Sequence, residues 1–229
     1  NQNKKNIKKI YLTASGGPFL NMKNSLIANV KPKYALKHPN WKMGKKISID
    51  SATLMNKLFE LIEAKKIFNL EIDNFEIIIH PKSYIHAIVH FKNGLIKFLA
   101  HDTNMSVPIM NSLYVNKIFN YNDKDLDFSV LNGSNFIKPD IKKFPIIKIL
   151  KLLPKKTTFF ETILISINDY LVDKYLNGSI NYHSLNVNLI KLIKTPYFTR
   201  YYDIGPKNII DIKIMVKKVV NYLNKIKLN

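Results

Sequence analysis

Ser48-Ile-Asp-Ser-Ala-Thr-Leu-Met-Asn-Lys-Leu-Phe-Glu-Leu-Ile-Glu-Ala64 joins a polar loop to an amphipathic run. At about 100° per residue, Leu54, Met55, Leu58, Leu61 and Ile62 share an apolar arc, and Thr53, Asn56, Glu60 and Glu63 lie opposite. The spacing predicts a helix over Ser51–Phe68 with one face to pack and one free for chemistry. Ser51 reads as the start of that helix, where its hydroxyl caps and the unpaired N–H groups favour an anion.

Upstream, Lys9–Ala14 has the continuous apolar character of a buried strand, and Ser15-Gly16-Gly17 follows as a tight turn where backbone can approach a ligand. The polar segment from Asn21 to Lys46 is long enough to read as a flexible lid, and Trp41 gives it something apolar to cover. Downstream, Phe75–Ile79 reads as a strand. Tyr84–Phe91 and Leu95–Ala100 flank Lys92-Asn93-Gly94, a hairpin signal that also suits a sheet extended across a dimer. Residues 116–145 are rich in Asn, Asp, Lys and Gly and read as a linker. Helical patterns then occupy Ile146–Leu153, Phe159–Leu176, Tyr182–Ile193 and Pro206–Ile226, the last opened by its proline. The expected fold class is α/β (α+β): a catalytic lobe with a sheet and lid over 1–115, the linker, and a small C-terminal helical bundle over 146–229.

Composition narrows the classes. The formal net charge is +20, which invites a nucleic-acid reading. Arg200 is the single arginine among 36 basic residues, however, and arginine is the side chain best suited to bidentate phosphate and base contacts. The lysines are spread along the chain among Asn, Ile, Tyr and Phe, which points to compositional drift rather than a nucleic-acid surface. Cysteine is absent, so disulfides and thiolate metal sites are excluded, and a reducing, cytoplasmic setting is expected. No apolar run is long enough to suggest a membrane partner.

Longer motifs carry a resemblance. Thr13–Phe19, Ala35–Thr53 with His38-Pro39-Asn40-Trp41 and Met43-Gly44, Met55-Asn56-Lys57 with Glu60, and His80-Pro81 with Ser83 and Ile85-His86 together resemble the 1-deoxy-D-xylulose 5-phosphate reductoisomerase family. The resemblance implies an NADPH- and divalent-metal-dependent homodimer, using Mn²⁺ or Mg²⁺ (or Co²⁺), that converts a phosphorylated keto sugar into 2-C-methyl-D-erythritol 4-phosphate for isoprenoid synthesis. It implies Glu60 as a metal ligand and catalytic acid group. Ser15, Ser51, Asn56 and Lys57 become phosphate contacts, His38 a catalytic and substrate-contacting group, and Trp41 the cover over the substrate. Gly44 becomes a backbone contact to the nicotinamide cofactor. His80 and His86 are family-like, yet histidines in a strand region usually pack and hydrogen-bond, so they stay outside the expected site.

Departures are also visible. Nothing here matches the family's Gly-rich nucleotide-binding turn or the acidic motif that supplies its other metal ligands. With Asn1 as the opening residue, the expectation is the C-terminal part of a longer protein or a truncated gene model. Leu58 stands where the family usually has Gly, Lys82 where Gln is common, and Asn168-Asp169 where an Asn-Glu pair is typical. The competing expectation is a non-catalytic Lys-rich binding module that keeps the fold. Retention of Ser15, His38, Ser51, Asn56, Lys57 and Glu60 together argues against it, because a module without chemistry has no physical need for that set.

Overall fold

The computed structural model describes residues 4–41, 43–114 and 128–228. In chain order the elements are β1 (Ile7–Ala14), the short helices α1 (Asn24–Ile27) and α2 (Pro32–Ala35), then α3 (Lys45–Thr53) and α4 (Met55–Phe68). Next come β2 (Phe75–Ile79), β3 (Ile85–Phe91), β4 (Ile96–Ala100), α5 (Ser106–Leu113) and α6 (Phe128–Leu131). A 3₁₀ stretch at Pro145–Leu152 leads into α7 (Phe159–Leu176), α8 (Tyr182–Leu192), α9 (Pro196–Thr199) and α10 (Ile209–Leu223). The mixed α/β class is as expected.

The sheet runs β2-β1-β3-β4. β1 pairs parallel with β2, from Ile10 opposite Phe75 to Ala14 opposite Ile79, so the chain must cross over between them, and α3 and α4 lie on that crossover. The β3 and β4 strands are the expected hairpin, antiparallel to each other, with Gly94 at φ 86° in its turn. Alternation places Ile10, Ala14, Phe75, Ile77 and Ile79 in one cluster with Leu54, Leu61 and Phe144. Ile78, Ile85 and Ile88 form a smaller cluster with Tyr11 and Tyr84.

A third apolar cluster is larger and draws on both halves of the chain. Ile49, Ala52, Met55 and Leu58 of α3 and α4 share it with Phe160, Ile163, Leu164, Leu185 and Val219 of α7, α8 and α10. The site-bearing helices are therefore packed directly on the C-terminal helices. Residues 116–127 of the expected linker lie outside the described residues; beyond them, Ile137 bridges to Ile79 and Phe144 is buried.

Four expectations are corrected. Ser51–Phe68 is two helices, because Leu54 adopts φ 66°, ψ 11°, left-handed and non-helical. A left-handed non-glycine costs about 1–2 kcal/mol, but this turn sends Leu54 into the sheet-side cluster while Met55 enters the bundle cluster. Burying a leucine contributes about 1.5–3 kcal/mol, enough to offset the strain. Ser51 consequently lies in the last turn of α3, not at a helix start. The Ile146–Leu153 pattern folds as 3₁₀ helix. The last helix begins at Ile209, where Asn208 accepts from the Ile210 and Asp211 amides, so that cap rather than Pro206 opens it.

The fourth correction is the lid. Ile27 and Ala35 are buried in the large cluster. Lys143 Nζ donates to the Leu20 and Met22 carbonyls, the Tyr175 hydroxyl to the Val30 carbonyl at 2.8 Å, and the His183 amide to the Ala28 carbonyl at 3.0 Å. Much of the Asn21–Lys46 segment is thus tied to the helical bundle, and the part that overhangs the site begins near His38.

Candidate active site

Parallel pairing puts the carboxyl ends of β1 and β2 on the same edge of the sheet. The turn after β1 carries Ser15, and His80 follows β2. Because β3 runs antiparallel, its second residue, His86, comes to that same edge. In an open sheet this edge is where ligands bind.

Gly17 clasps the turn to the helices. At φ +65° it holds a conformation that side chains rarely adopt, and a Cβ there would sit 3.0 Å from Ala52 Cα and 3.1 Å from the Ser51 carbonyl oxygen. That approach sets the Ser15 turn against the α3–α4 junction. Ser15 lies two residues before that contact and the Ser51 carbonyl is part of it, while Asn56, Lys57 and Glu60 follow on the first turns of α4.

Hydrogen bonding fixes proton positions on the Ser15 side. His38 Nδ1 accepts from the Asn40 amide at 3.2 Å and the Trp41 amide at 2.9 Å, so the neutral ring carries its proton on Nε2. Nε2 is 3.0 Å from Ser15 Oγ, which also accepts from the Gly17 amide at 3.0 Å. The serine thus takes two donors and keeps its own hydroxyl proton available for an anion. Burial holds the His38 pKa below its ordinary value, in keeping with a ring whose Nδ1 is already engaged as an acceptor.

On α4, Glu60 is gripped by its own helix. Oε1 accepts from Asn56 Nδ2 at 2.8 Å and Oε2 from Lys57 Nζ at 2.5 Å. A carboxylate, an ammonium and an amide thus share one helix face, the one opposite the buried Met55, Leu58, Leu61 and Ile62.

The overhanging loop docks on the β2–β3 connection. Asn40 Nδ2 donates to the Pro81 carbonyl and to Ser83 Oγ, each at 2.8 Å. Half-buried Trp41 lies edge-on to His86 with ring centroids 6.3 Å apart. His86, outside the site expected from sequence, therefore belongs to this cluster. Its Nε2 donates to the His101 carbonyl at 3.0 Å and its ring stacks on His101 at 3.7 Å. Burial, with Lys57 and other positive groups adding to it, lowers its pKa to about 4. The signal that could have found it is topological: the opening of an antiparallel neighbour strand falls beside the ends of the parallel pair. His80 stays structural, fully buried, stacked on Phe136 at 5.0 Å and bonded through Nδ1 to the Asn135 carbonyl.

For a metal, the described residues hold no group of three or more His, Cys, Asp or Glu side chains. Glu60 fits as one hard oxygen ligand, since Mg²⁺ is commonly held by one or two carboxylates with water and substrate oxygens completing its shell. Gly44 precedes α3 and has open space where a Cβ would be, so its exposed backbone can be approached by a cofactor.

Comparison with known proteins gives the family of the chain. Residues 1–68 match the family model described as 1-deoxy-D-xylulose 5-phosphate reductoisomerase C-terminal domain, and residues 101–220 match the DXP reductoisomerase C-terminal domain. The 1-deoxy-D-xylulose 5-phosphate reductoisomerase of Pelagibacter ubique is 53% identical over 93% of this chain and 55% of its own length. That of Sulfurihydrogenibium sp. is 34% identical over 98% of the chain and 58% of its own length. A crystal structure of DOX-P reductoisomerase in complex with NADPH, fosmidomycin and magnesium superposes at TM-score 0.88 with 32% identity, covering 96% of this chain and 55% of that one. The Zymomonas mobilis enzyme in complex with NADPH gives TM-score 0.83 at 30% identity, covering 95% of this chain and 55% of its own. The chain spans about half the length of the relatives it matches. Sequence and fold agree across nearly all of it, and the chain belongs to the 1-deoxy-D-xylulose 5-phosphate reductoisomerase family.

Proposed function

We propose that this chain is the substrate- and metal-binding part of an NADPH-dependent reductoisomerase that converts 1-deoxy-D-xylulose 5-phosphate to 2-C-methyl-D-erythritol 4-phosphate in isoprenoid synthesis. The observation that carries the reading is the clasp of Gly17 on the α3–α4 junction, which gathers hydroxyls, an amide, an ammonium and a carboxylate at the ligand-binding edge of the sheet. Ser15, Ser51, Asn56 and Lys57 hold the phosphate through several donors without needing arginine. Lys57 exchanges its bond to Glu60 for one to the phosphate, freeing that carboxylate as a ligand. His38 orients the sugar through Nε2 once it leaves Ser15, and Trp41 closes over the substrate to exclude water.

Glu60 is the one metal ligand assigned within this chain, and Gly44 the backbone contact to the nicotinamide. When bound, Mg²⁺ or Mn²⁺ would stabilise charge on the substrate's carbonyl and hydroxyl oxygens, and NADPH would supply hydride. The reading carries with it a homodimer and a cytoplasmic setting. The first is supported by the exposed apolar β4, where Ile96, Phe98 and Leu99 are each about half exposed, and the second by a composition free of cysteine. Among the described residues no helix is long and apolar enough to cross a membrane.

The test follows NADPH absorbance with 1-deoxy-D-xylulose 5-phosphate and Mn²⁺, in a protein extended to the length of the relatives. Glu60→Gln keeps size but removes a charged ligand, so kcat is expected to fall about 100- to 1000-fold, as when other electrostatic stabilisers are removed, with the circular dichroism unchanged. Near wild-type turnover of the variant at limiting Mn²⁺ would remove Glu60 from the ligand set.

A further inference from the structure

Asn168 and Asp169 have no part in the chemistry just described, yet both reach α3. Asp50, the residue immediately before Ser51, is only 2% exposed. Its Oδ1 accepts from Asn168 Nδ2 at 2.8 Å and its Oδ2 from Lys46 Nζ at 2.8 Å. Lys46 Nζ continues to Asp169 Oδ1 at 3.0 Å and lies 5.4 Å from the centroid of the Phe59 ring on α4. One buried carboxylate therefore staples the end of α3 to α7, and its ammonium partner also touches α4.

Stability alone does not call for such a device. Desolvating a carboxylate is costly, and apolar packing of similar volume commonly does as well or better. Burial pushes the Asp50 carboxyl above its ordinary pKa, while the Lys46 and Asn168 bonds act against that shift. An ionic link that is expensive to bury is better accounted for by the direction it imposes. Its bonds fix the rotation and advance of the last turn of α3, on which Ser51 sits and against which Gly17 is packed.

We propose that Asp50, held by Lys46, Asn168 and Asp169, is a positioning residue for phosphate recognition: it sets the last turn of α3 so that Ser51 meets the same anion as the Ser15 turn. The inference rests on the phosphate reading given above. Phosphate contacts of this kind bind ground state and transition state alike, so their misplacement raises KM rather than lowering kcat.

The experiment measures kcat and KM for 1-deoxy-D-xylulose 5-phosphate, the competitive inhibition constant of inorganic phosphate, and the thermal midpoint, in the full-length protein. Asp50→Asn removes the negative charge that holds the Lys46 ammonium. Lys46→Met removes the charge from a side chain that is half exposed and remains testable if the buried variant does not fold. Both are expected to raise KM and the phosphate inhibition constant together by about tenfold, the loss typical of one charge-assisted hydrogen bond, with kcat within about threefold of wild type. Lys66→Met is the control. It breaks the 3.0 Å Lys66–Glu161 ion pair, which also joins α4 to α7, and should leave KM and the phosphate constant unchanged. Unchanged phosphate inhibition in a folded Lys46→Met protein, or an equal rise in Lys66→Met, overturns the positioning role. A wild type that neither turns over the substrate nor is inhibited by phosphate overturns the underlying reading and this inference with it.

Discussion

His86 shows how one side chain couples the site to acidity. Its pKa is about 4 in the folded chain against 6.5 ordinarily, so between those values the unfolded chain binds a proton that the folded chain refuses. The contribution of the neutral ring is fully present above pH 6.5 and is lost as the pH falls toward 4. His38 and His80 are shifted in the same direction by burial and add to the trend. His86→Gln retains a donor for the His101 carbonyl but cannot titrate. Urea unfolding midpoints at pH 7 and pH 4.5 should therefore separate less in the variant than in the wild type. An equal acid loss in both would mean that His86 is not refused its proton.

Gly17 and Leu54 divide what could be read in the sequence from what could not. Two glycines after a strand announce a tight turn, and the Asn93-Gly94 hairpin and the apolar arc of α4 were equally plain, because each depends on local chemistry or on period. The break at Leu54 leaves no such mark. Leucine is a good helix former, and its left-handed turn is imposed by two cores pulling adjacent residues apart. The same tertiary demand hid the role of Asp50, whose partner Asn168 lies 118 residues away. The anchoring of the Asn21–Lys46 segment is hidden for a related reason, since polar segments can be held through backbone carbonyls that no side-chain pattern reveals. Gly17→Ala should carry both the left-handed penalty of about 1–2 kcal/mol and a backbone clash with Ala52. The expected result is a lowered thermal midpoint together with weaker inhibition by inorganic phosphate. A variant as stable and as sensitive to phosphate as the wild type would show that the turn and the α3–α4 junction are not clasped.

At the scale of the whole molecule, one sheet edge lies bare among the described residues. β4 is exposed along its full length, with Phe98 55% and Leu99 59% accessible on opposite faces, and Leu113 of the following helix is 70% accessible. Natural edge strands are normally blunted by charge or cover, so a bare apolar edge of this kind suits pairing with a second copy. Phe98→Lys is expected to convert a dimer to a monomer in sedimentation velocity runs. A wild type that sediments as a monomer at micromolar concentration would sink the homodimer. The shared core of α3, α4 and the C-terminal helices has a consequence in time. Tyr182 donates to the Ala52 carbonyl across 130 residues of chain. Contacts that distant are slow to close, because loop entropy is lost before packing returns anything. During synthesis Ser51 and Glu60 leave the ribosome long before α7 and α8, so the residues proposed to hold the phosphate wait for helices that are still to be made.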